Sequence, residues 1–320
     1  MKRVVFLLSL RVALFSLLFA GLSASAGAQV LIDLNRGGHL RAKTTDDYAA
    51  ERQTVRRAAA DSTQWGDCVR RALSALAVDS LDEARTLFER ALALRPEAEA
   101  NCVVYENLGR IALSRGQLRE AETQLTRALR LSPAYQPARL VRAAVRLEDG
   151  RPRDAVEDVE ALERLSLDSA ARRQTLCLRF GAQMQQRLYA EARQVAVRLL
   201  SLAPDDAGAA LILILACEAE GRAAEALERA NLFVERYPDM ADGLTLRARL
   251  LHAAGQYDAA LDDIDRAIAL TPCEADLYTA RAEALLELGR NTAARSALDE
   301  AVRLGTPRAY LNTLYRRARR

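Results

Sequence analysis

From about residue 65 onward, apolar side chains recur every three or four positions in stretches of roughly a dozen residues, the spacing of one helix face. Tyr105, Leu108, Gly109 and Ala112 make one such stripe, and Leu244, Ala248 and Leu251 another. The first kind of stretch halts at a glycine: Gly116, Gly150, Gly221, Gly255 or Gly289. Glycine there supplies the left-handed conformation that closes a helix. A second amphipathic stretch follows and ends at Pro96, Pro133, Pro204, Pro238 or Pro272, a residue that cannot continue a helix. The pattern predicts an all-α chain made of helix-turn-helix units.

The units repeat. NLGRIALSRGQLREAETQLTRALRLSP, from Asn107 to Pro133, returns in outline as RARLLHAAGQYDAALDDIDRAIALTP, from Arg247 to Pro272, and as RAEALLELGRNTAARSALDEAVRL, from Arg281 to Leu304. Windows start near Trp65, Cys102, Gln136, Arg173, Ala207, Ala241 and Ala275, so the step is 34 residues four times and 37 twice. One column is alanine in all seven windows: Ala84, Ala121, Ala155, Ala192, Ala226, Ala260 and Ala294. Internal periodicity of this length signals stacked supersecondary units. These windows resemble tetratricopeptide repeats, helical hairpins with small residues where the two helices touch. Ala72, Gly109, Ala143, Ala248 and Ala282 match the family's small position on the first helix, and the alanine column matches its partner on the second. Phe88, Leu125, Val159, Ile264 and Leu298 supply larger knobs one turn later. The resemblance implies a right-handed superhelical solenoid of about seven hairpins over residues 62–306, with N- and C-terminal capping helices.

Some positions depart from the pattern. Phe180 and Ile214 stand at the small first-helix position, Asp79 and Arg187 replace the turn glycine, and Leu167 replaces a proline. The two longer steps imply insertions before Cys102 and Arg173, expected in the turns between hairpins. Residues 307–320, PRAYLNTLYRRARR, read as a terminal helix starting near Pro307, the polar-faced cap a solenoid needs. Its Arg316, Arg317, Arg319 and Arg320 complement the dipole at a helix C-terminus. Residues 29–61 hold an apolar VLIDL, a turn at Asn35–Gly38 and a predicted helix N-capped by Thr45 or Asp46, and are expected to cap the other end.

Ahead of them, Lys2 and Arg3 precede an apolar run that ends in Ser23, Ala24, Ser25, Ala26, Gly27 and Ala28. A basic start, an apolar run and a small-residue exit have the layout of a secretory signal peptide over residues 1–28. Cleavage is expected after Ala28, with Ala26 the alternative. Export to a bacterial envelope or beyond is therefore the expected destination, and no later run is long enough to span a membrane.

Composition narrows the chemistry. Half the residues are hydrophobic, while only 15 glycines and 8 prolines are present, which favours helix and excludes disorder. The formal charge of +3 comes from the leader: without residues 1–28, 43 basic residues face 43 acidic ones. That balance argues against a nucleic-acid partner, which would call for a cationic stripe. There are two histidines, and no Gly-rich phosphate loop, HExxH, GxSxG or CxxC occurs, so neither catalytic nor metal-binding residues nor a cofactor are expected. Carboxylates such as Asp262, Asp263 and Asp265 read as a solvated helix face with arginine neighbours. Five cysteines cannot all pair within one chain; Cys217 reads as a buried hydrophobe, and a Cys68–Cys102 bridge is left open by the spacing.

In a stack of hairpins the first helices line an extended concave surface. The resemblance implies a protein or peptide ligand there. It carries across to Val69, Leu73, Leu76, Val103, Glu106, Arg110, Leu113, Leu140, Ala144 and Leu147 in the earlier windows. Cys177, Gly181, Met184, Leu211, Leu215, Glu218, Arg249, His252, Glu283 and Leu286 follow in the later ones. The Lys and Asn pair with which chaperone-binding members hold a peptide carboxylate is missing. The expected function is a non-enzymatic scaffold of the cell envelope. A structural or self-associating solenoid is the alternative, and an enzyme on a helical superhelix, such as a cell-wall lyase, is disfavoured. So many apolar side chains in one groove should not stay wet, and their cover is expected to be either a partner's segment or residues 29–61 of the chain itself.

Overall fold

The computed structural model describes residues 63–319. The leader and residues 29–61 lie outside them, so neither the expected signal peptide nor the N-terminal cap is addressed by the fold. Fifteen helices and no strand occur among the described residues. They fall into hairpins: α1 (Thr63–Ala77) with α2 (Leu81–Leu94), α3 (Asn101–Ser114) with α4 (Leu118–Leu131), and α5 (Gln136–Glu148) with α6 (Pro152–Glu163). Next come α7 (Ser169–Gln185) with α8 (Tyr189–Leu202), α9 (Ala207–Ala219) with α10 (Ala223–Arg236), α11 (Ala241–Ala253) with α12 (Tyr257–Leu270), and α13 (Ala275–Glu287) with α14 (Asn291–Arg303). A last helix, α15 (Arg308–Arg317), is capped at Pro307 as the sequence predicted. The chain divides into two compact units, Met1–Ala209 and Ala210–Arg320, the boundary falling inside α9. Within each, hairpins stack in chain order.

Every hairpin turns on one residue of positive φ in the same register. Gly116, Gly150, Gly221, Gly255 and Gly289 have φ between 69° and 87°, while Asp79 and Arg187, the two substituted positions, adopt φ 58° and 63°. The turn geometry therefore survives the loss of glycine, at the strain an L-residue feels in that region. Gly116 shows what the conformation secures: its N–H bonds to the Leu113 carbonyl at 2.8 Å, and the Gln117 N–H reaches back to Ala112 at 2.9 Å. Two carbonyls that the helix end would orphan are thus satisfied.

All seven alanines of the shared column are fully buried. They let the two helices of a hairpin approach closely, and Gly109 shows how closely: a Cβ placed there would lie 2.7 Å from Leu125 Cγ. This contact pairs the small first-helix position with the knob sixteen residues later. Where the first position is large, at Phe180 and Ile214, the second is Ala196 or Ala230, and all four are buried. The two departures are exchanges of bulk between the same two sites, which conserves core volume. A second exchange stands between consecutive hairpins: Phe233 occupies a position that is alanine at Ala267, and Gly243 makes room, since a Cβ there would meet the Phe233 ring at 2.2 Å.

The two insertions differ. Before α3, residues 95–100 form a longer turn, sealed by Asn101, whose amide donates to the Arg95 and Pro96 carbonyls and accepts from buried Trp65 Nε1 at 3.0 Å. Before Arg173 the extra residues lengthen the helix instead. α7 has 17 residues against 13 or 14 in most of its fellows, because Asp168 caps it early by accepting from the Ala171 N–H at 2.7 Å.

Candidate functional site

First helices and second helices are buried differently. α4 hides a single stripe, Ala121, Leu125, Ala128 and Leu129. α3 hides residues on every side, from Asn101 to Leu113. Its groove face, the side carrying the predicted row, includes Val103, Glu106 and Leu113, all out of water. The same holds for Val69, Leu73 and Leu76 on α1 and for Leu140, Ala144 and Leu147 on α5. Cys177 and Met184 on α7 and Leu211 and Leu215 on α9 are likewise buried. Arg110, Arg249 and His252 are partly buried, whereas Glu283 is exposed.

Charged groups in this row are poorly served. In the first unit Glu106 has no exposed surface; one of its oxygens takes the guanidinium of Arg110 one turn on, while Oε2 has no partner and neither has Arg110 Nη1. At the end of α5, Glu148 Oε2 is also buried without a partner, and desolvation pushes that carboxyl up to about 7. Gln185 Nε2 donates to the Leu147 carbonyl at 3.0 Å and ties α7 to the same stretch of α5. The Cys177 thiol is pushed up to about 12 by burial, which makes it an inert hydrophobe rather than a nucleophile. In the second unit Arg249 Nη2 meets Glu218 at 2.5 Å. Burial raises Glu218 above the usual carboxylate range, with Arg249 acting against it. His252 stacks edge-on against Tyr257 at 5.1 Å, and its Nε2 is buried without a partner.

Asp263 corrects the sequence reading. Asp262 and Asp265 are solvated, but Asp263 is buried and receives a bidentate Arg247 at 2.6 Å through both contacts. Asp158, which the sequence reading passed over, does the same one unit earlier. It is 1% exposed and accepts from Arg142 at 2.9 and 2.7 Å, from Arg146 at 3.1 Å and from Arg139 at 3.4 Å. Arg146 and Arg151 also hold Glu122 of α4, so the network binds the second hairpin to the third. The signal was present: Arg142 to Asp158 and Arg247 to Asp263 share one spacing of sixteen residues in one register. Both clusters are cement between helices. Among the described residues no group of three His, Cys, Asp or Glu could hold a metal ion, Cys68 and Cys102 are not bridged to each other, and no helix is long and apolar enough to cross a membrane.

Comparison with known proteins follows the repeat pattern. Residues 67–134 match one family model described as a tetratricopeptide repeat, and residues 106–172, 179–241 and 245–309 match another of the same description, which by itself spans more than half of the chain. No curated protein matches the sequence. Among solved structures the chain is similar to a tetratricopeptide repeat protein from Parabacteroides merdae, at 20% identity and a TM-score of 0.68, over 81% of this chain and all of that one. It is also similar to a chain of the APC/C hetero-tetramer Cut9–Hcn1, at 17% identity and a TM-score of 0.57, over 86% of this chain and 56% of that one. A third likeness is to pilF of Pseudomonas aeruginosa, at 21% identity and a TM-score of 0.52, over 67% and 95% of the two chains. At these identities the likeness is one of fold.

Proposed function

Because the chain belongs to the tetratricopeptide-repeat family, whose fold serves as a protein-interaction scaffold, we propose that it holds a protein or peptide partner on the groove face of its first helices, in the cell envelope. One observation carries the reading: the apolar groove-face positions of α1, α3, α5 and α9 are buried, and α3 is buried on every side whereas its partner α4 keeps a solvated one. An apolar row that is energetically unsuited to water belongs to a surface that works covered. Its charged members, Glu106, Arg110, Arg249 and His252, retain hydrogen-bonding capacity that neighbouring side chains leave unused, and such groups give a ligand its register. Envelope localisation is supported by the basic, apolar and small-residue succession of residues 1–28.

Two measurements test this. N-terminal sequencing of protein made in a secreting bacterial host should find Gln29 or Gly27 at the start; recovery only of a cytosolic chain beginning with Met1 would remove the envelope from the proposal. A photo-reactive residue at Arg110 or His252 should cross-link to a partner in envelope extracts, while one at the solvated second-helix residue Arg119 should not. Cross-links from Arg119 alone would move the binding surface to the second helices.

A further inference from the structure

We propose that the groove face of the second unit reads an asparagine or glutamine side chain of the bound partner, Arg249 Nε donating to the carboxamide oxygen and His252 Nε2 accepting from its nitrogen. The inference rests on the groove being the binding surface, and names one chemical group that the partner brings to it. Arg249 and His252 stand one turn apart on α11, and Arg249 Nε and His252 Nε2 are both buried without a hydrogen-bond partner. Buried polar atoms are nearly always paired, and leaving them unpaired is costly. A ligand group that serves both nitrogens is therefore favoured. The rest of each side chain is already committed. Arg249 Nη2 holds Glu218, on the part of α9 that belongs to this unit, at 2.5 Å, and the His252 ring lies edge-on against Tyr257 of α12 at 5.1 Å. Those contacts fix the two heads, while Arg249, with 34% of its side chain exposed, leaves a way in from the groove.

Charge selects the ligand. Glu218 already neutralises Arg249, so the acceptor that Arg249 Nε needs must arrive without a negative charge of its own. A carboxylate would lie against Glu218, whose carboxyl burial already raises. Glu283 of α13 follows His252 at the same step of 31 residues that separates Arg249 from Glu218, which places a second acid beside the position. An ammonium or guanidinium from the partner offers no acceptor at all. A carboxamide is neutral and carries an acceptor and a donor on neighbouring atoms. In the neutral imidazole with its proton on Nδ1, Nε2 is the matching acceptor. A main-chain peptide group has the same pair of functions, but both nitrogens lie below the surface, where a group on a side-chain stem reaches and a main chain does not.

The test uses the full chain carrying His39→Gln, which leaves His252 as its one imidazole, with nitrogen-15 in the histidine ring. The probes are the N-acetyl methylamides of glutamine, glutamate, serine and alanine. The glutamine probe should shift the Nε2 resonance saturably, with that nitrogen still unprotonated, and bind about tenfold tighter than the other three. The preference should be equal at about 0.05 M and 0.5 M salt, because no net charge is exchanged. Equally tight binding of the glutamate probe, or a preference that fades with salt, would make this an anion site; equally tight serine or alanine would assign it to a hydroxyl or to the main chain. Each of those results overturns the proposal, as does the absence of a shift with every probe. Arg249→Lys keeps the charge beside Glu218 but has no Nε–H, and it should lose the glutamine preference with its helical circular dichroism unchanged. A folded Arg249→Lys that kept the preference would also refute the assignment. Failure here is separable from failure of the scaffold reading. Partner cross-links from Arg110 without a glutamine preference leave the scaffold standing and remove the carboxamide site, whereas a glutamine preference with partner cross-links only from Arg119 does the reverse.

Discussion

Asp158→Asn should be among the most damaging isosteric changes in the protein. The carboxylate is 1% exposed and gathers three guanidiniums: Arg142 through two bonds of 2.9 and 2.7 Å, Arg146 at 3.1 Å and Arg139 at 3.4 Å. Asparagine keeps the shape but removes the charge and one acceptor, leaving three arginine side chains, 14–18% exposed, crowded around a neutral group. Breaking a buried pair in this way costs about 3–5 kcal/mol. Because the arginines keep some water and Arg146 keeps Glu122 at 2.9 Å, the lower end, about 3 kcal/mol, is expected here. In a stack whose stability is summed over neighbouring repeats, the loss should be local. Amide hydrogen exchange in α5 and α6 should accelerate about a hundredfold, with α12 to α14 unaffected, and the urea midpoint should fall. Double-mutant cycles divide the effect: coupling of Asp158 to Arg142 should exceed about 1.5 kcal/mol, and coupling to Arg139 should stay under about 0.5 kcal/mol. Arg290→Gln, which removes an exposed 3.1 Å contact to Asp258, is the control and should cost no more than about 0.5 kcal/mol. If Asp158→Asn matched that control, the network would be surface decoration and the account of the second and third hairpins would be wrong.

Three further outcomes are expected. Ala260→Leu overfills the fully buried alanine column and should lower stability by about 1–3 kcal/mol in urea titrations. Arg187→Gly relieves a φ of 63° and should raise stability by about 0.5–1 kcal/mol, the left-handed strain less the chain entropy that glycine adds; Asp79→Gly should behave alike. Glu148, whose folded carboxyl is pushed up to about 7 by burial, holds a proton that the unfolded chain releases near the ordinary value of about 4.3. Folding thus takes up a proton in that window, so its contribution to stability falls as pH rises from about 4.5 to 7 and is lost above it. Glu148→Gln should flatten this slope and gain on wild type between pH 4 and 8 by about 1 kcal/mol after solvent screening, read as urea midpoints at each pH.

Repeat number, hairpin register and helix ends could be read from the chain alone, because each is set by local chemistry that recurs. Glycines that must be left-handed, alanines that must be small and prolines that stop helices appear at a fixed step, and Gly116, Ala121 and Pro133 define a hairpin without reference to anything distant in sequence. The groove row was equally accessible as a set of positions on a helix face. Tertiary structure decided what those positions experience. Phe180 and Ile214 looked like breaks in the pattern until Ala196 and Ala230 were seen to give back the volume, since packing constrains the sum across a contact and not either residue alone. Asp263 looked solvated because a lone helix places it beside exposed Asp262, and only the neighbouring helix brings Arg247 over it. The insertion before Arg173 could have lengthened either a turn or a helix, and the capping bond of Asp168 chose the helix. Burial of Glu106 and the desolvation that raises Glu148 depend on tertiary packing, a long-range property that periodicity within one helix does not encode.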